Sequence, residues 1–117
     1  MHVIKSVRLP VAAAGDLMER LADTDDGLRL VVLVRDPRGV MASRANLTWC
    51  RHPSCSRSDV LCHDVQRDLA SYERLRRRHG ADRVHLLKFE DLAADMSAET
   101  AKLYTFLGLF LHRIWFP

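Results

Sequence analysis

The chain of 117 residues has 48% hydrophobic and 28% charged residues, a composition typical of a soluble globular protein with one domain at most. Its net charge of +3 suits an anionic cofactor or an acidic glycan but is too small to predict nucleic-acid binding, so we expect no nucleic-acid partner. The sequence has no apolar run of about 18 residues and no recognisable signal peptide, so we expect no membrane anchor in this chain.

The amino-terminal part combines a strand pattern with a helical one. Residues 1–9 have the period-two pattern of a short strand, predicted at about residues 2–8 and ended by Pro10. Residues 11–22 carry apolar side chains at i, i+3, i+4 and i+7 and are predicted to form an amphipathic helix. The polar residues 23–27 indicate a turn into the next strand.

A predicted strand and a predicted helix meet at the centre of the chain. The β-branched run Leu30–Val34 lacks helical spacing and predicts a strand at about residues 29–35, buried on both faces as in a parallel sheet. Asp36 is a favourable N-cap and Pro37 suits the first position of a helix, which should continue to about Leu47. We expect the start of this helix to offer N–H groups and a partial positive charge to an anion.

Three residues around this helix form a candidate phosphate site. Arg35, Gly39 and Ser43 are spaced by four and are predicted to lie on one side of the helix. Arg35 offers a planar fork of donors, Gly39 leaves room for a ligand, and Ser43 adds a hydroxyl. The spacing alone favours an ordinary strand–helix connection whose Arg and Ser face solvent, since any α/β protein offers such units.

The segment VRDPRGVMASR, residues 34–44, resembles the 3′-phosphate-binding segment of sulfotransferases that use 3′-phosphoadenosine 5′-phosphosulfate (PAPS). Its sequence is similar to the corresponding segment of Golgi carbohydrate sulfotransferases that sulfate the 6-hydroxyl of galactose, N-acetylgalactosamine or N-acetylglucosamine. The resemblance implies that Arg35 and Ser43 bind the 3′-phosphate of PAPS or of 3′-phosphoadenosine 5′-phosphate. It also implies a glycan acceptor and a location on the lumenal side of the Golgi membrane.

The loop after the helix is rich in cysteine and histidine. Cys50, His52 and Cys55 raise the possibility of zinc, but their spacing is not that of a known zinc site, and we expect no metal. A disulfide in an oxidising lumen is the preferred interpretation, as Cys50–Cys55 or Cys55–Cys62, and the sequence does not choose between them. Asn46 starts a glycosylation sequon that we expect to be unused, because a glycan would crowd the phosphate site.

A long helix is predicted from Ser58 to His79, ended by Gly80. Its last turns are crowded with arginines: Arg74, Arg76, Arg77 and Arg78. Cations favour the C-terminus of a helix, so we interpret this cluster as a solvated face. The alternative function is a non-catalytic module that binds sulfated glycan or nucleic acid through this basic helix end.

The last third of the chain predicts one more strand, residues 83–89, and a helix that begins at Ser97. The stretch 86–109 resembles a second shared segment of the same family, a strand ending in [YF]-E-D-L followed by a helix ending in F-L-G-L. Glu90 and Asp91 are adjacent at a strand end, where side chains diverge, so we expect them to cap or to pair with arginine rather than to act on one substrate.

These elements predict an α/β fold with three layers, α/β/α, around three parallel strands at about residues 2–8, 29–35 and 83–89. The resemblance implies an incomplete sulfotransferase fold of the P-loop NTPase type. We expect residues 1–109 to form a partial sulfotransferase domain and residues 110–117 to form a divergent apolar tail.

The sequence contains no R-x-G-S-S-like loop of the kind that holds the 5′-phosphosulfate in the family, and no Walker-type phosphate loop. We therefore expect this chain to carry only the 3′-phosphate-binding part of the enzyme. No catalytic residue is assigned, because the candidate bases are expected to be surface or packed histidines. These are His52, His63, His79 and His85.

Overall fold

The computed structural model describes residues 1–23 and 27–110. Most of the predicted turn at 23–27 and of the predicted tail at 110–117 lies outside these residues. The elements follow the chain in the order α1 (Val11–Arg20), β1 (Leu30–Val34), α2 (Pro37–Arg44), a 3₁₀ helix (Pro53–Cys55), α3 (Ser58–His79), β2 (Val84–Lys88), α4 (Phe89–Ala94) and α5 (Met96–Leu107).

The sheet of the described residues has two parallel strands, β1 and β2. Their register pairs Leu30 with Val84 and Val34 with Lys88, so the two strands end side by side. Residues that follow them, far apart in sequence, therefore come together at one edge of the sheet. This edge positions the candidate site.

The predicted strand at residues 2–8 is wrong. Residues 1–10 form no strand, and Val3 and Ile4 remain 77% and 89% exposed. An alternating pattern makes a segment suitable for a strand, but a strand forms only where a neighbouring strand accepts its hydrogen bonds. The segment has no such neighbour in the described structure, and the sheet accordingly has two of the three predicted strands.

Helices cover both faces of the sheet, which confirms the predicted α/β/α layering. On one face, Val32 and Val84 pack with Met18 of α1 and Tyr72 of α3 in the main core. Side chains alternate along a strand, so His85 points to the opposite face, where its ring stacks on Phe106 of α5 at 5.0 Å between centroids. The sheet is thus enclosed along β2, whereas Leu33 of β1 is 61% exposed. The predicted burial of β1 on both faces is therefore wrong at this position, because the helices on that side pack over β2.

Helices α1 and α3 approach each other closely at Gly15. A Cβ at position 15 would lie 2.7 Å from Leu75 Cδ2, so the absence of a side chain allows the contact. Pro10 offers no side-chain cap for α1, and the backbone N–H of Val11 instead donates to Asp68 Oδ1 of α3 at 3.0 Å. The long helix therefore stabilises the start of α1 as well as its buried face.

The predicted helix bounds agree closely with the structure for α1 and α3, whereas α2 ends before the predicted Leu47. The main difference lies after β2, where the chain forms the short helix α4 from Phe89 instead of passing directly to the last helix. Asp95 then caps α5 by accepting from the backbone N–H of Ala98 at 3.0 Å, so α5 begins at Met96.

Candidate functional site

The candidate site lies where β1 ends and α2 begins. Asp36 is the N-cap of α2 and its Oδ1 accepts from the backbone N–H of Arg38 at 2.8 Å. Pro37 occupies the first position of the helix, where a missing N–H leaves no unsatisfied donor. These two residues explain why the strand stops and why the helix starts at this point, as the sequence predicted.

Two backbone donors at the start of α2 are occupied by the protein's own carboxylates, which corrects one prediction in part. The backbone N–H of Asp36 donates to Glu90 Oε1 at 2.7 Å, and that of Arg38 donates to Asp36. Pro37 has no N–H. The backbone N–H of Gly39 has no partner in the described structure, so an anion at this site can use side chains and this one donor of the helix start. Glu90 has the structural role predicted for it, although its partner is a backbone group and not an arginine.

The Arg35 side chain is packed against other residues but forms no ion pair in the described structure. Its Cζ lies 4.4 Å from the centroid of the Phe89 ring, the arrangement of a cation–π contact. A Cβ at Gly39 would lie 2.8 Å from Arg35 Nε, so this glycine makes room for the arginine side chain itself. Within residues 1–23 and 27–110, the guanidinium has no hydrogen-bond or ion-pair partner. Its donors are therefore available to a ligand.

The two neighbouring arginines differ from Arg35. Arg38 Nη2 is paired with Asp36 Oδ2 at 2.6 Å, and this hydrogen-bonded arginine lowers the pKa of the Asp36 carboxyl to about 2. Arg44 Nη1 donates to both the backbone oxygen and the hydroxyl oxygen of Ser54 at 3.1 Å. Arg38 thus completes the N-cap region and Arg44 anchors the end of α2, which leaves Arg35 as the available guanidinium of the motif.

Ser43 lies in the last turn of α2, one helical turn beyond Gly39, and is exposed. Across the described part of the chain, its hydroxyl has no hydrogen-bond partner. The structure therefore brings Arg35 and Gly39 into contact and places Ser43 further along the same helix, without a direct bond to Arg35. Which groups contact the 3′-phosphate remains a prediction.

The cysteine-rich loop contains a disulfide between Cys50 and Cys55, one of the two pairings left open by the sequence. Cys62 is a free, exposed thiol on α3. His52 is a cap, because its Nδ1 accepts from the backbone N–H of Ser54 at 3.2 Å. In the described ranges, no group of three His, Cys, Asp or Glu side chains is arranged to hold a metal ion.

The basic end of α3 is bonded to the protein. Arg76 donates to the Tyr72 hydroxyl at 2.8 Å, and Arg78 is paired with Glu19 of α1. Arg74 and Arg77 also donate within α3, to the Ser71 hydroxyl and to a backbone oxygen. Each of these arginines therefore has at least one bonded donor, whereas no donor of Arg35 is bonded in the described structure.

Two of the predicted packed histidines are partly enclosed. Burial lowers the pKa of His85, whose ring stacks on α5, and its Nε2 is buried without a hydrogen-bond partner in the described structure. Nε2 of His79 lies 3.1 Å from Glu19 Oε1, but the buried nitrogen is not aligned for a hydrogen bond. Neither histidine lies in the phosphate site.

Phe89 is the site residue that the sequence interpretation missed. The only signal was its place in the [YF]-E-D-L pattern, immediately before Glu90. Nothing in that pattern identifies Arg35 as the partner of the ring, because the contact depends on the parallel alignment of β1 and β2.

The sequence of this chain is similar to those of known proteins. The sequence pattern described as "Sulfotransferase family" matches residues 17–113, which include the whole candidate site. Carbohydrate sulfotransferase 1 of Danio rerio is 32% identical over 132 residues, covering 96% of this chain and 30% of that protein. The Homo sapiens protein of the same name is 30% identical over 124 residues, covering 92% of this chain and 29% of its own length.

The chain thus spans about 30% of the length of the curated relatives it matches. No solved structure matches it. None of the described helices is long and apolar enough to cross a membrane. The family pattern covers most of the sequence and includes both the arginine-bearing corner and the strand that supports it, so the chain belongs to the sulfotransferase family.

Proposed function

We propose that this chain carries the 3′-phosphate-binding part of a PAPS-dependent carbohydrate sulfotransferase. Arg35 and Ser43 bind the 3′-phosphate of the nucleotide in this proposal. The observation that carries it is the state of Arg35, whose guanidinium is held against Phe89 while its N–H donors have no partner in the described structure. A planar fork of unused donors matches the geometry of phosphate oxygens.

The residues present fit a phosphate group. Arg35 supplies the charge and several donors, and Ser43 supplies a hydroxyl that no described residue uses. The carboxylates of Asp36 and Glu90 are engaged by backbone N–H groups, so their repulsion of an anion is partly offset. When bound, PAPS supplies the sulfuryl group that passes to the acceptor, and this chain's residues contribute by holding and orienting the nucleotide.

The acceptor is proposed to be a carbohydrate hydroxyl, and the finer assignment is the 6-hydroxyl of a hexose or N-acetylhexosamine. The relatives named carbohydrate sulfotransferase 1 and the resemblance of residues 34–44 support this choice. The same relationship supports a location in the Golgi lumen, where the Cys50–Cys55 disulfide is chemically stable.

The test is a comparison of two nucleotides that differ only in the 3′-phosphate. Binding of 3′-phosphoadenosine 5′-phosphate and of adenosine 5′-phosphate is measured by titration calorimetry and by the melting temperature of the chain. We expect the first nucleotide to bind with a Kd of about 1 mM and to raise the melting temperature. The second should bind more weakly because it lacks the group that Arg35 recognises.

Arg35→Ala and Arg38→Ala form a matched pair, since each removes one positive charge from the same corner. Arg35→Ala should abolish the preference for the 3′-phosphate, whereas Arg38→Ala should keep it because Arg38 is committed to Asp36. Ser43→Ala should weaken binding about tenfold, in line with a hydrogen bond to a charged group. Equal affinity of the unaltered chain for the two nucleotides would overturn the proposal.

A further inference from the structure

The aromatic ring that touches Arg35 comes from the other strand of the sheet. β1 and β2 end in register, with Val34 opposite Lys88, and the next residue of each chain segment is Arg35 and Phe89 respectively. The guanidinium carbon lies 4.4 Å from the ring centroid. Since Phe89 is 41% exposed, its position at the surface is better explained by the contact with Arg35 than by the core.

The same side chain lies against the backbone of α2 at Gly39, where there is no side chain to displace it. A Cβ at that position would lie 2.8 Å from Arg35 Nε and 3.2 Å from its Cζ. The arginine therefore contacts both the first turns of α2 and the ring at the start of α4. Contact on both sides matters because fixing an arginine side chain costs conformational entropy.

The contact leaves the donors of the arginine usable. A cation–π contact engages the flat face of a guanidinium, whereas its N–H groups point outwards in the plane. The ring can therefore hold the side chain without competing for the oxygens of a ligand. A carboxylate in the same place would hold Arg35 equally well but would occupy its donors and repel a phosphate.

A second contact keeps the ring in place relative to the arginine. Glu90, next to Phe89, accepts from the backbone N–H of Asp36, next to Arg35, at 2.7 Å. The Arg35–Phe89 contact and the adjacent Asp36–Glu90 hydrogen bond thus both join the end of β1 to the end of β2. This arrangement limits relative movement of the arginine backbone and the aromatic ring.

We propose that Phe89 is a positioning residue that holds Arg35 in the orientation needed to bind the 3′-phosphate, an inference that rests on the proposed function. The ring itself does not contact the phosphate in this proposal. Its contribution is to reduce the ordering that Arg35 must undergo when the nucleotide binds.

The test compares Phe89→Leu with Phe89→Tyr in titrations with the same two nucleotides. Phe89→Leu should weaken the binding of 3′-phosphoadenosine 5′-phosphate about two- to fivefold, the range expected from a cation–π contact at an exposed site. Binding of adenosine 5′-phosphate should not change. Phe89→Tyr should restore the affinity, because tyrosine keeps the aromatic face. Circular dichroism and urea unfolding establish that each variant is folded.

A double variant separates positioning from a general structural effect. In the Arg35→Ala background, Phe89→Leu should cause no further loss, because the ring acts through the arginine. If Arg35→Ala weakens the binding of 3′-phosphoadenosine 5′-phosphate and Phe89→Leu does not, the positioning role is overturned and the proposed function stands. If Arg35→Ala has no effect, the proposed site itself is wrong. A loss in Phe89→Leu that affects both nucleotides equally also overturns the positioning role.

Discussion

The backbone N–H of Asp36 donates to Glu90 Oε1 at 2.7 Å and so joins residues that are 54 positions apart in the sequence. This bond ties the start of α2 to the end of β2. It also gives Glu90 a structural contact, in line with the capping role that the sequence predicted for it. The corner that holds Arg35 is therefore built jointly by the two strands.

Gly39→Ala should separate stability from binding. Alanine favours a helix over glycine by about 1 kcal/mol, so the free energy of unfolding should stay the same or rise by up to that amount. The new Cβ would lie 2.8 Å from Arg35 Nε and should displace the flexible arginine. Binding of 3′-phosphoadenosine 5′-phosphate should fall by about three- to tenfold. Urea unfolding and titration calorimetry measure the two effects.

The control for this prediction is Gly39→Ala in the Arg35→Ala background, where the added methyl group should have no effect on nucleotide binding. Loss of binding in that background too would mean that the glycine makes room for the ligand, as the sequence first suggested, and not for the arginine. Lower stability of the single variant would show that the displaced side chain cannot find another position.

Asp36→Asn tests the ion pair at the start of α2 through the pH dependence of stability. Asparagine is also a favourable N-cap, so the substitution keeps the cap and removes the charge that pairs with Arg38. The hydrogen bond from Arg38 lowers the pKa of Asp36 from 3.8 to about 2 in the folded chain. The ionised group therefore adds stability above pH 3.8, and this contribution is lost as the pH falls towards 2.

The measurement is urea unfolding of the two proteins between pH 2 and pH 7. The unaltered chain should be the more stable above about pH 4, and the difference should disappear near pH 2. Added salt should reduce it, because the pair is exposed to solvent. A difference that stays constant over the whole range would show that the variant acts through the cap and not through the charge.

Thiol alkylation tests the disulfide assignment. In the folded, unreduced chain, iodoacetamide should label Cys62 alone, since Cys50 and Cys55 are joined. Reduction should expose the other two thiols and lower the free energy of unfolding by about 2 kcal/mol, the value expected for a short closed loop. Peptide mapping by mass spectrometry gives the labelled positions.

Cys62→Ser is the matched control and should take up no label before reduction. Its unfolding should still respond to reductant, because the bond between Cys50 and Cys55 is retained. A peptide linked through Cys55 and Cys62 in the unaltered chain would contradict the assignment and support the other pairing that the sequence allowed.

Local signals accounted for much of the helical structure. The long helix was predicted from Ser58 to His79 and begins and ends at these residues, because its apolar spacing and Gly80 act within a few turns of chain. The start of α2 at Pro37 followed in the same way from its cap. By contrast, α4 was not predicted, since its six residues are too short to show a periodic pattern.

The candidate site could be predicted only in part. The spacing of Arg35, Gly39 and Ser43 identified the segment, but it did not show that Arg35 itself lies beside Gly39 or that carboxylates accept from two donors of the helix start. The structure fills the space beside Gly39 with Arg35 and occupies the donors of Asp36 and Arg38 with carboxylates. These differences arise from side chains whose positions depend on folding.

The sequence by itself determined the strand–helix corner at Asp36–Pro37, the long helix and the arginine, because caps and periodicity act between residues close in the chain. The tertiary structure alone decided that residues 1–10 form no strand, that Glu90 bonds to Asp36, and that Phe89 contacts Arg35. Each of these depends on the pairing of distant segments, and in particular on the register of β1 and β2, which no local pattern specifies.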